Sequence, residues 1–433
     1  MNSSTALVVS HGLFLNQAAR LARDFGKVYL YTPGAEATNF PTMSIGMIGH
    51  GLPGVERVDS IFGPHFDEVD TFVFSDLYWG DLQVYLESLG KNVWGSRKGE
   101  ELEIYRECCK EEMAKVGLPV QPWKKLVGVT ALRAHLKSHE NQFVKIDRFR
   151  GNFETFKSVS YELSEVKLDE IAHQLGGFQE MAEFVVEDEI PDAVEVGIDT
   201  FCIDGEWPSG ALVGIEVKDL GLLGRFLPWQ KIPEPIRRWN ERMGPTLGKY
   251  NYRGWVSTEI RIGKDLEPYM IDATCRSPSP PSELLQEFYS NFSEIIWGGS
   301  QGIVVNPVPA AEYGVQVLLK SAWAEKNWQP VEYPEEFAPQ IKLFNAVDID
   351  GKHFVVPQDE ELQEIGAVIG YNTHNPIAGP VPGPIPGKGS CIFLHVWDSP
   401  PKGTTGCVAL SRENLKTLLG WLSFDCLPRI CIL

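Results

Sequence analysis

Two carboxylates stand where a hairpin would set them face to face. Ser257-Thr258-Glu259-Ile260-Arg261-Ile262 is followed, after a short gap, by Tyr269-Met270-Ile271-Asp272-Ala273-Thr274-Cys275-Arg276. In the first run apolar Ile260 and Ile262 alternate with Glu259 and Arg261. In the second, Ile271 and Ala273 alternate with Asp272, Thr274 and Arg276. A strand has period two, so each polar set shares a face. The simplest antiparallel register puts Arg261 opposite Met270 and Glu259 opposite Asp272, with Cβ atoms roughly 4.5–5.5 Å apart. Like charges so placed need neutralising. A divalent cation does this, since Mg²⁺ usually takes one or two carboxylates and completes its shell with water and phosphate oxygens. A solvated strand face tempered by Arg261 satisfies the same pattern.

The surrounding elements read in two styles. Over the first hundred residues strand and helix alternate. Ala6 to Val9 is an apolar run. Phe14, Leu15, Ala18, Leu21, Ala22 and Phe25 then recur at helical spacing, with Gly26 as a cap. Val28 to Tyr31, Phe72 to Phe74 and Asn92 to Trp94 are further strands, and Trp79 to Leu89 is a helix closed by Gly90. This β-α-β rhythm predicts a small parallel sheet with helices on its faces. Glu100 to Val116 reads as one helix stopped by Gly117 and Pro119, with Cys108 and Cys109 as core residues. From about 120 to 320 the strands are Phe143 to Ile146, Phe184 to Glu187, Glu195 to Ile203, Leu212 to Val217, Trp255 to Ile262 and Tyr269 to Ala273. They form a mostly antiparallel α+β region. A strand pair is expected around Ile341 to Phe354. Residues 374–389, with five prolines and four glycines, form a connector.

Composition excludes several classes. With 39 basic and 58 acidic residues in 433, the formal charge is −19, which repels nucleic-acid backbones. No apolar run reaches the roughly 18 residues of a membrane span. The first residues lack the basic region of a secretory leader, and the eight cysteines contain no CxxC pair. A reduced, cytoplasmic protein is expected, without nucleic-acid or membrane partners. Two glycine motifs fail on context. Gly49-His50-Gly51-Leu52-Pro53-Gly54 matches GxGxxG but no helical stripe follows it. Gly244 to Lys249 is one residue short of a P-loop and has Tyr250 in place of Ser or Thr.

With these residues in place, the chain resembles the ATP-grasp superfamily, in particular relatives of phosphoribosylamine–glycine ligase, over about residues 5–366. In that family an acidic strand precedes a hairpin partner of the form hydrophobic-acid-x-(Asn/Thr)-x-Arg. Here Glu259, Asp272, Thr274 and Arg276 match. The usual second acid is Glu with Asn two residues on; this chain has Asp272 and Thr274. Phe143-Val144-Lys145-Ile146 resembles the strand whose lysine meets the α- and β-phosphates. Val185-Val186-Glu187-Asp188-Glu189 resembles the hinge of the adenine slot, and Glu195 matches the acid near the ribose. The family's phosphate-covering loop is glycine-rich, whereas Arg148-Phe149-Arg150-Gly151-Asn152 has a single glycine.

The resemblance implies an α/β N-terminal domain plus a two-lobed α+β ATP-grasp domain, with a small β-rich C-terminal segment. Its boundaries would be 1–97, 98–366 and 367–433. It implies ATP and Mg²⁺ as cofactors and a small-molecule carboxylate and amine as partners. A carboxylate takes the γ-phosphate of ATP, giving an acyl phosphate and ADP, and an amine displaces phosphate to form a C–N bond. Glu259 and Asp272 would hold Mg²⁺, Lys145 the phosphates, and Arg276 the acceptor carboxylate or acyl phosphate. A non-catalytic nucleotide-binding protein is a rival reading, motivated by the sparse glycine loop.

The tail carries a second resemblance. Gly387 to Val396 and Thr404-Thr405-Gly406-Cys407-Val408-Ala409-Leu410 resemble the end of an L,D-transpeptidase catalytic domain. There a strand histidine and a Gly-Cys nucleophile pair; His395 and Cys407 match. A histidine beside a cysteine supplies the thiolate that acyl transfer on peptidoglycan peptides needs. The match covers only about the last 65 residues, and the alternative is a buried cysteine in a truncated or fused fragment.

Overall fold

The computed structural model describes residues 3–33, 49–147, 155–190, 193–217, 221–264 and 267–317, together with the backbone of five short strands beyond them. The chain opens with β1 (Thr5–Val9), α1 (Leu15–Leu21), β2 (Lys27–Tyr31), β3 (Val55–Val58), β4 (Thr71–Phe74), α2 (Gly80–Ser88) and β5 (Asn92–Trp94). The five strands make a parallel sheet in the order β3-β2-β1-β4-β5. The α/β expectation holds here. β1 is buried along its whole length, as a strand covered on both faces must be. α1 is shorter than its periodicity predicts: it ends at Leu21, and Gly26 is not left-handed. Gly90 does end α2's turn with φ 77°. Gly49, Gly51 and Gly54, at φ 77°, 75° and 72°, shape turns ahead of β3, so no dinucleotide-binding helix follows them.

The helix read from Glu100 to Val116 is broken in two. α3 (Glu101–Ile104) stops at Tyr105, which is extended at φ −110° and ψ 91°, and α4 (Arg106–Lys115) restarts from it. A tertiary contact competes with the helix: the Arg106 backbone N–H donates to Asp147 Oδ1 at 3.1 Å. Periodicity cannot register such a contact. Cys109 is buried and Cys108 packs against the same core, as expected.

The next elements are β6 (Trp123–Val127), α5 (Val129–Leu136), β7 (Gln142–Ile146), β8 (Thr155–Ser158), α6 (Tyr161–Leu175) and β9 (Glu183–Asp188). They form an antiparallel sheet β6-β9-β7-β8 packed on α5 and α6 through Leu132, Val144, Leu168, Ile171 and Phe184. The chain continues through β10 (Val194–Ile203), β11 (Gly210–Val217), β12 (Gly221–Pro228), α7 (Glu234–Lys249), β13 (Arg253–Ile262), β14 (Pro268–Thr274), α8 (Ser282–Phe288), α9 (Phe292–Ser300) and β15 (Tyr313–Val317). A large sheet runs β14-β13-β10-β11-β12-β15. One face packs on α7 through Cys202, Met243, Leu247, Val256 and Ile260. The other meets α8 and α9 through Phe201, Leu212, Trp255, Leu284, Phe288 and Phe292.

Five further strands are β16 (Leu343–Val347), β17 (Gly366–Ile369), β18 (Ile392–Val396), β19 (Val408–Leu410) and β20 (Arg429–Ile432). β20 pairs in parallel with β15 and antiparallel with β16, so the chain end extends the large sheet. The expected strand near Ile341 is β16; Gly351 to Phe354 lie outside the described residues.

The sequence Gly244-Pro245-Thr246-Leu247-Gly248 lies inside α7 and forms no phosphate loop. Its glycines serve packing. A Cβ on Gly244 would sit 2.7 Å from Gly205 O, and one on Gly248 2.9 Å from Asp204 O. Gly205, at φ 96°, turns the chain between β10 and β11 against that helix.

Candidate active site

β13 and β14 bring Glu259 and Asp272 face to face, as the period-two pattern implies. The ladder is regular from Ser257 with Thr274 to Glu259 with Asp272, then slips by one. Ile260 pairs with Met270 and Arg261 with Tyr269, in place of the expected Arg261–Met270 pair. Ile271 is therefore the extra residue of a bulge beside the two acids. The bulge has a use: the Lys145 ammonium, on β7 of the other sheet, donates to the Ile271 carbonyl.

Lys145 is the joint between the sheets. It is buried, with Nζ 3.7 Å from Asp272 Oδ2 and 3.5 Å from Glu187 Oε1. Glu187, on β9, is also buried; its Oε1 lies 2.8 Å from Lys110 Nζ and its Oε2 accepts from Gln121 Nε2 at 2.7 Å. Arg106 Nε stands 3.5 Å from Asp272 Oδ1, and Arg106 Nη1 donates to Ile146 O at 2.8 Å. Three cations, Lys110, Lys145 and Arg106, thus line the same cleft as Glu187 and Asp272. Such a set suits a polyphosphate, because each phosphate oxygen can replace a carboxylate partner.

Glu259 differs from its neighbours. Among the described residues it has no hydrogen-bond or ion-pair partner. Burial pushes its carboxyl up to about 8, reinforced by the charges of Asp272, Glu216 and Glu195 and opposed by Lys145. An uncompensated acid beside a second acid is what a bound cation relieves, so this pair fits Mg²⁺. Among the described residues no group of three or more His, Cys, Asp or Glu could hold a metal ion. Two carboxylates completed by phosphate oxygens need no such group.

The remaining sequence candidates fall around this centre. Glu195, on β10, accepts from Arg261 Nε at 3.0 Å, and that guanidinium lies 5.6 Å over the Phe143 ring. Arg276, just past β14, donates from Nε to Glu103 Oε1 at 3.0 Å and lies 3.9 Å from Asp76 Oδ1. Glu103 also accepts from the Cys275 backbone N–H. The break at Tyr105 lets Glu103 face the hairpin end while Arg106 and Lys110 face the cleft. Arg148 and Arg150 lie outside the described residues, as does Cys407. His395 is placed on β18 by its backbone alone, opposite Gly366 and Ala409.

Sequence reasoning missed Arg106 and Lys110, which it used only to extend a helix. Their i, i+4 spacing on a polar face was the available signal. It also passed over His11 and Asp76, although each follows a strand of a parallel sheet by two residues. Ligands of such sheets sit beyond the carboxyl ends of the strands.

No family model matches this sequence, and no curated protein does. Solved structures do resemble the fold. The phosphoribosylamine–glycine ligase of Thermotoga maritima aligns over 99% of this chain and 100% of its own, with 15% identity and a TM-score of 0.51. An L-amino acid ligase from Bacillus licheniformis aligns over 98% and 97%, with 14% identity and a TM-score of 0.54. The biotin carboxylase domain of Hydrogenobacter thermophilus 2-oxoglutarate carboxylase covers 90% and 85%, with 12% identity and a TM-score of 0.53. The chain therefore has the two-lobed ATP-grasp fold, as its motifs lead one to expect.

Proposed function

We propose that this protein is an ATP-dependent carboxylate–amine ligase that works through an acyl phosphate. The observation that carries the reading is the meeting of Glu259, Asp272 and Lys145 in one cleft between two sheets. The fold supports it: the similar structures include two ligases and a carboxylase domain, the last solved with MgADP and bicarbonate. Glu259 and Asp272 would hold Mg²⁺, which supplies charge neutralisation for the triphosphate. Lys145, with Lys110 and Arg106, meets the phosphate oxygens and stabilises the charge that moves to ADP as the γ-phosphoryl leaves. Glu187, which pairs with both lysines, would line the adenine slot, and Glu195 would lie near the ribose. Arg276 orients the acceptor carboxylate and then the acyl phosphate. Residues 1–97, 98–366 and 367–433 are the proposed divisions of the chain, and a small carboxylate and an amine are its substrates.

The test is a screen of amino acids and small acids for ATP-dependent phosphate release with ADP as co-product. Glu259→Ala should abolish the release, with a loss of at least about 100-fold, because charge neutralisation at a phosphoryl group is worth several kcal/mol. Release that needs no carboxylate, or that survives in Glu259→Ala, would defeat the proposal.

A further inference from the structure

The five-stranded parallel sheet reverses its strand order between β1 and β4. The crevice beyond the carboxyl ends of those two strands is the favoured ligand position of an open parallel sheet. Two titratable side chains occupy it. His11 follows β1 by two residues and Asp76 follows β4 by two residues, and Nδ1 of His11 lies 3.5 Å from Asp76 Oδ2. Both side chains are 11% exposed. The Asp76 contact fixes the imidazole, and Nε2 has no hydrogen-bond partner among the described residues. The His11 ring lies against Trp79 at 5.3 Å and edge-on to Tyr78 at 6.3 Å. Trp79 Nε1 is enclosed without a hydrogen-bond acceptor, and Tyr78 is held at φ 71°, a conformation that side chains rarely adopt.

This cluster reaches the proposed reaction centre through Asp76 and Arg276. Asp76 Oδ1 is 3.9 Å from Arg276 Nε, and Arg276 is in turn held by Glu103. Among the described residues, the charged and titratable groups around His11 include Asp76 directly, Arg276 and Glu103 behind it, Tyr78 beside the ring, and Glu100, which accepts from the Trp79 backbone N–H at 3.2 Å and whose carboxyl burial pushes up to about 7. Burial raises the Asp76 carboxyl, but the His11 contact and the Arg276 charge outweigh it and hold it below the usual carboxylate range. Asp76 is therefore an anion at neutral pH, suited to orient an imidazole and to stabilise an imidazolium.

We propose that His11 is the proton acceptor for the amine substrate, with Asp76 as its positioning residue, a role that rests on the ligase reading. An amine reaches neutral solution as an ammonium and cannot attack until it is deprotonated. Nε2 of His11 takes one proton, leaving the free amine and an imidazolium paired with Asp76. The nitrogen lone pair forms the C–N bond to the acyl carbon beside Arg276. The bond from that carbon to the phosphate oxygen breaks, and phosphate leaves with the electron pair. The surplus proton of the new amide nitrogen goes with the phosphate, and His11 returns its own proton to water.

Hydroxylamine separates this role from simple binding, because it is largely unprotonated at neutral pH and needs no base. The full-length protein is assayed with MgATP and a mixture of the twenty amino acids and small carboxylic acids, with and without hydroxylamine. For His11→Asn, ADP release with amino acids as nucleophile should fall about 100-fold, the usual yield of a general base, while hydroxamate formation stays within about threefold of wild type. Asp76→Asn should move the acid limb of the amine-dependent kcat/KM profile to lower pH, with no such shift in the pH profile of hydroxamate formation; this variant decides the matter if His11→Asn does not fold. An unchanged pH profile in Asp76→Asn, full amine turnover in His11→Asn, or equal loss with both nucleophiles overturns the role of His11 and leaves the ligase reading standing. If wild type releases no ADP with either nucleophile, the ligase reading falls and this role falls with it.

Discussion

Glu259 is the residue on which the site's electrostatics turn. Its carboxyl is pushed up to about 8 by burial and by the neighbouring acids, which favours the protonated form at neutral pH in the metal-free protein. The sign of the stability effect follows. A carboxyl whose folded value lies above its unfolded value favours the fold fully below the unfolded value, near 4.5, and that contribution is lost as pH rises through about 8. Thermal melts of the metal-free protein should thus show a midpoint that drops between pH 6 and pH 9. In Glu259→Gln, which cannot ionise, the drop should be smaller by about 3 °C or more. Added Mg²⁺ with nucleotide should restore the wild-type midpoint at pH 9 and leave the variant unchanged. Parallel melts for the two proteins would disprove the assignment. Cys109 gives the contrary case: burial pushes its thiol up to about 12, which fits a core residue and not a nucleophile.

At the scale of elements, local irregularities place the chemistry. The break at Tyr105 separates α3 from α4, so that Glu103 reaches Arg276 while Arg106 reaches Asp272. The Ile271 bulge turns a carbonyl toward Lys145 without disturbing the pairing of Glu259 with Asp272. Elsewhere glycine serves contact between backbones, as where α7 lies against the turn at Gly205. Gly244→Ala forces a methyl group to within 2.7 Å of Gly205 O. It should destabilise the protein by about 1–3 kcal/mol, as overpacking does. The KM for ATP should stay unchanged, since α7 packs on the face of the large sheet opposite the cleft. A chemical-denaturation midpoint and an ATP titration check both halves; a selective loss of ATP affinity would return this motif to the nucleotide site.

Across the whole molecule, the cleft exists because two sheets with separate cores approach at Lys145 and Asp272. A nucleotide bound there, as proposed, would bridge both sheets and stabilise the folded chain by mass action. At about 100 times its Kd, MgATP should add about 2.7 kcal/mol. Lys145→Met should remove most of that gain, because it deletes the cation that spans the gap. Differential scanning calorimetry with MgATP measures this, and an undiminished shift in the variant would show that the nucleotide binds elsewhere. Among the described residues no helix is long and apolar enough to cross a membrane.

The site was partly legible in the primary structure. Alternation of Ile with Glu and Asp fixes which side chains share a strand face, a local property that needs no knowledge of the rest of the chain. The facing of Glu259 and Asp272 follows from it; the ATP-grasp motifs and their order rest on resemblance to that superfamily and not on periodicity. The β-α-β rhythm of the first hundred residues likewise follows from runs of buried strand residues separated by helical spacing. What periodicity could not supply was every contact between residues far apart in sequence. Asp147 competes with a helix for the Arg106 backbone N–H across 41 positions, Lys145 meets the Ile271 carbonyl across 126, and Arg276 meets Glu103 across 173. His11 and Asp76, 65 positions apart, become neighbours only when β1 and β4 pair. Residue types determined what chemistry was available; the closing of the sheets upon one another decided which groups share it, because electrostatic coupling depends on distance in space and not along the chain.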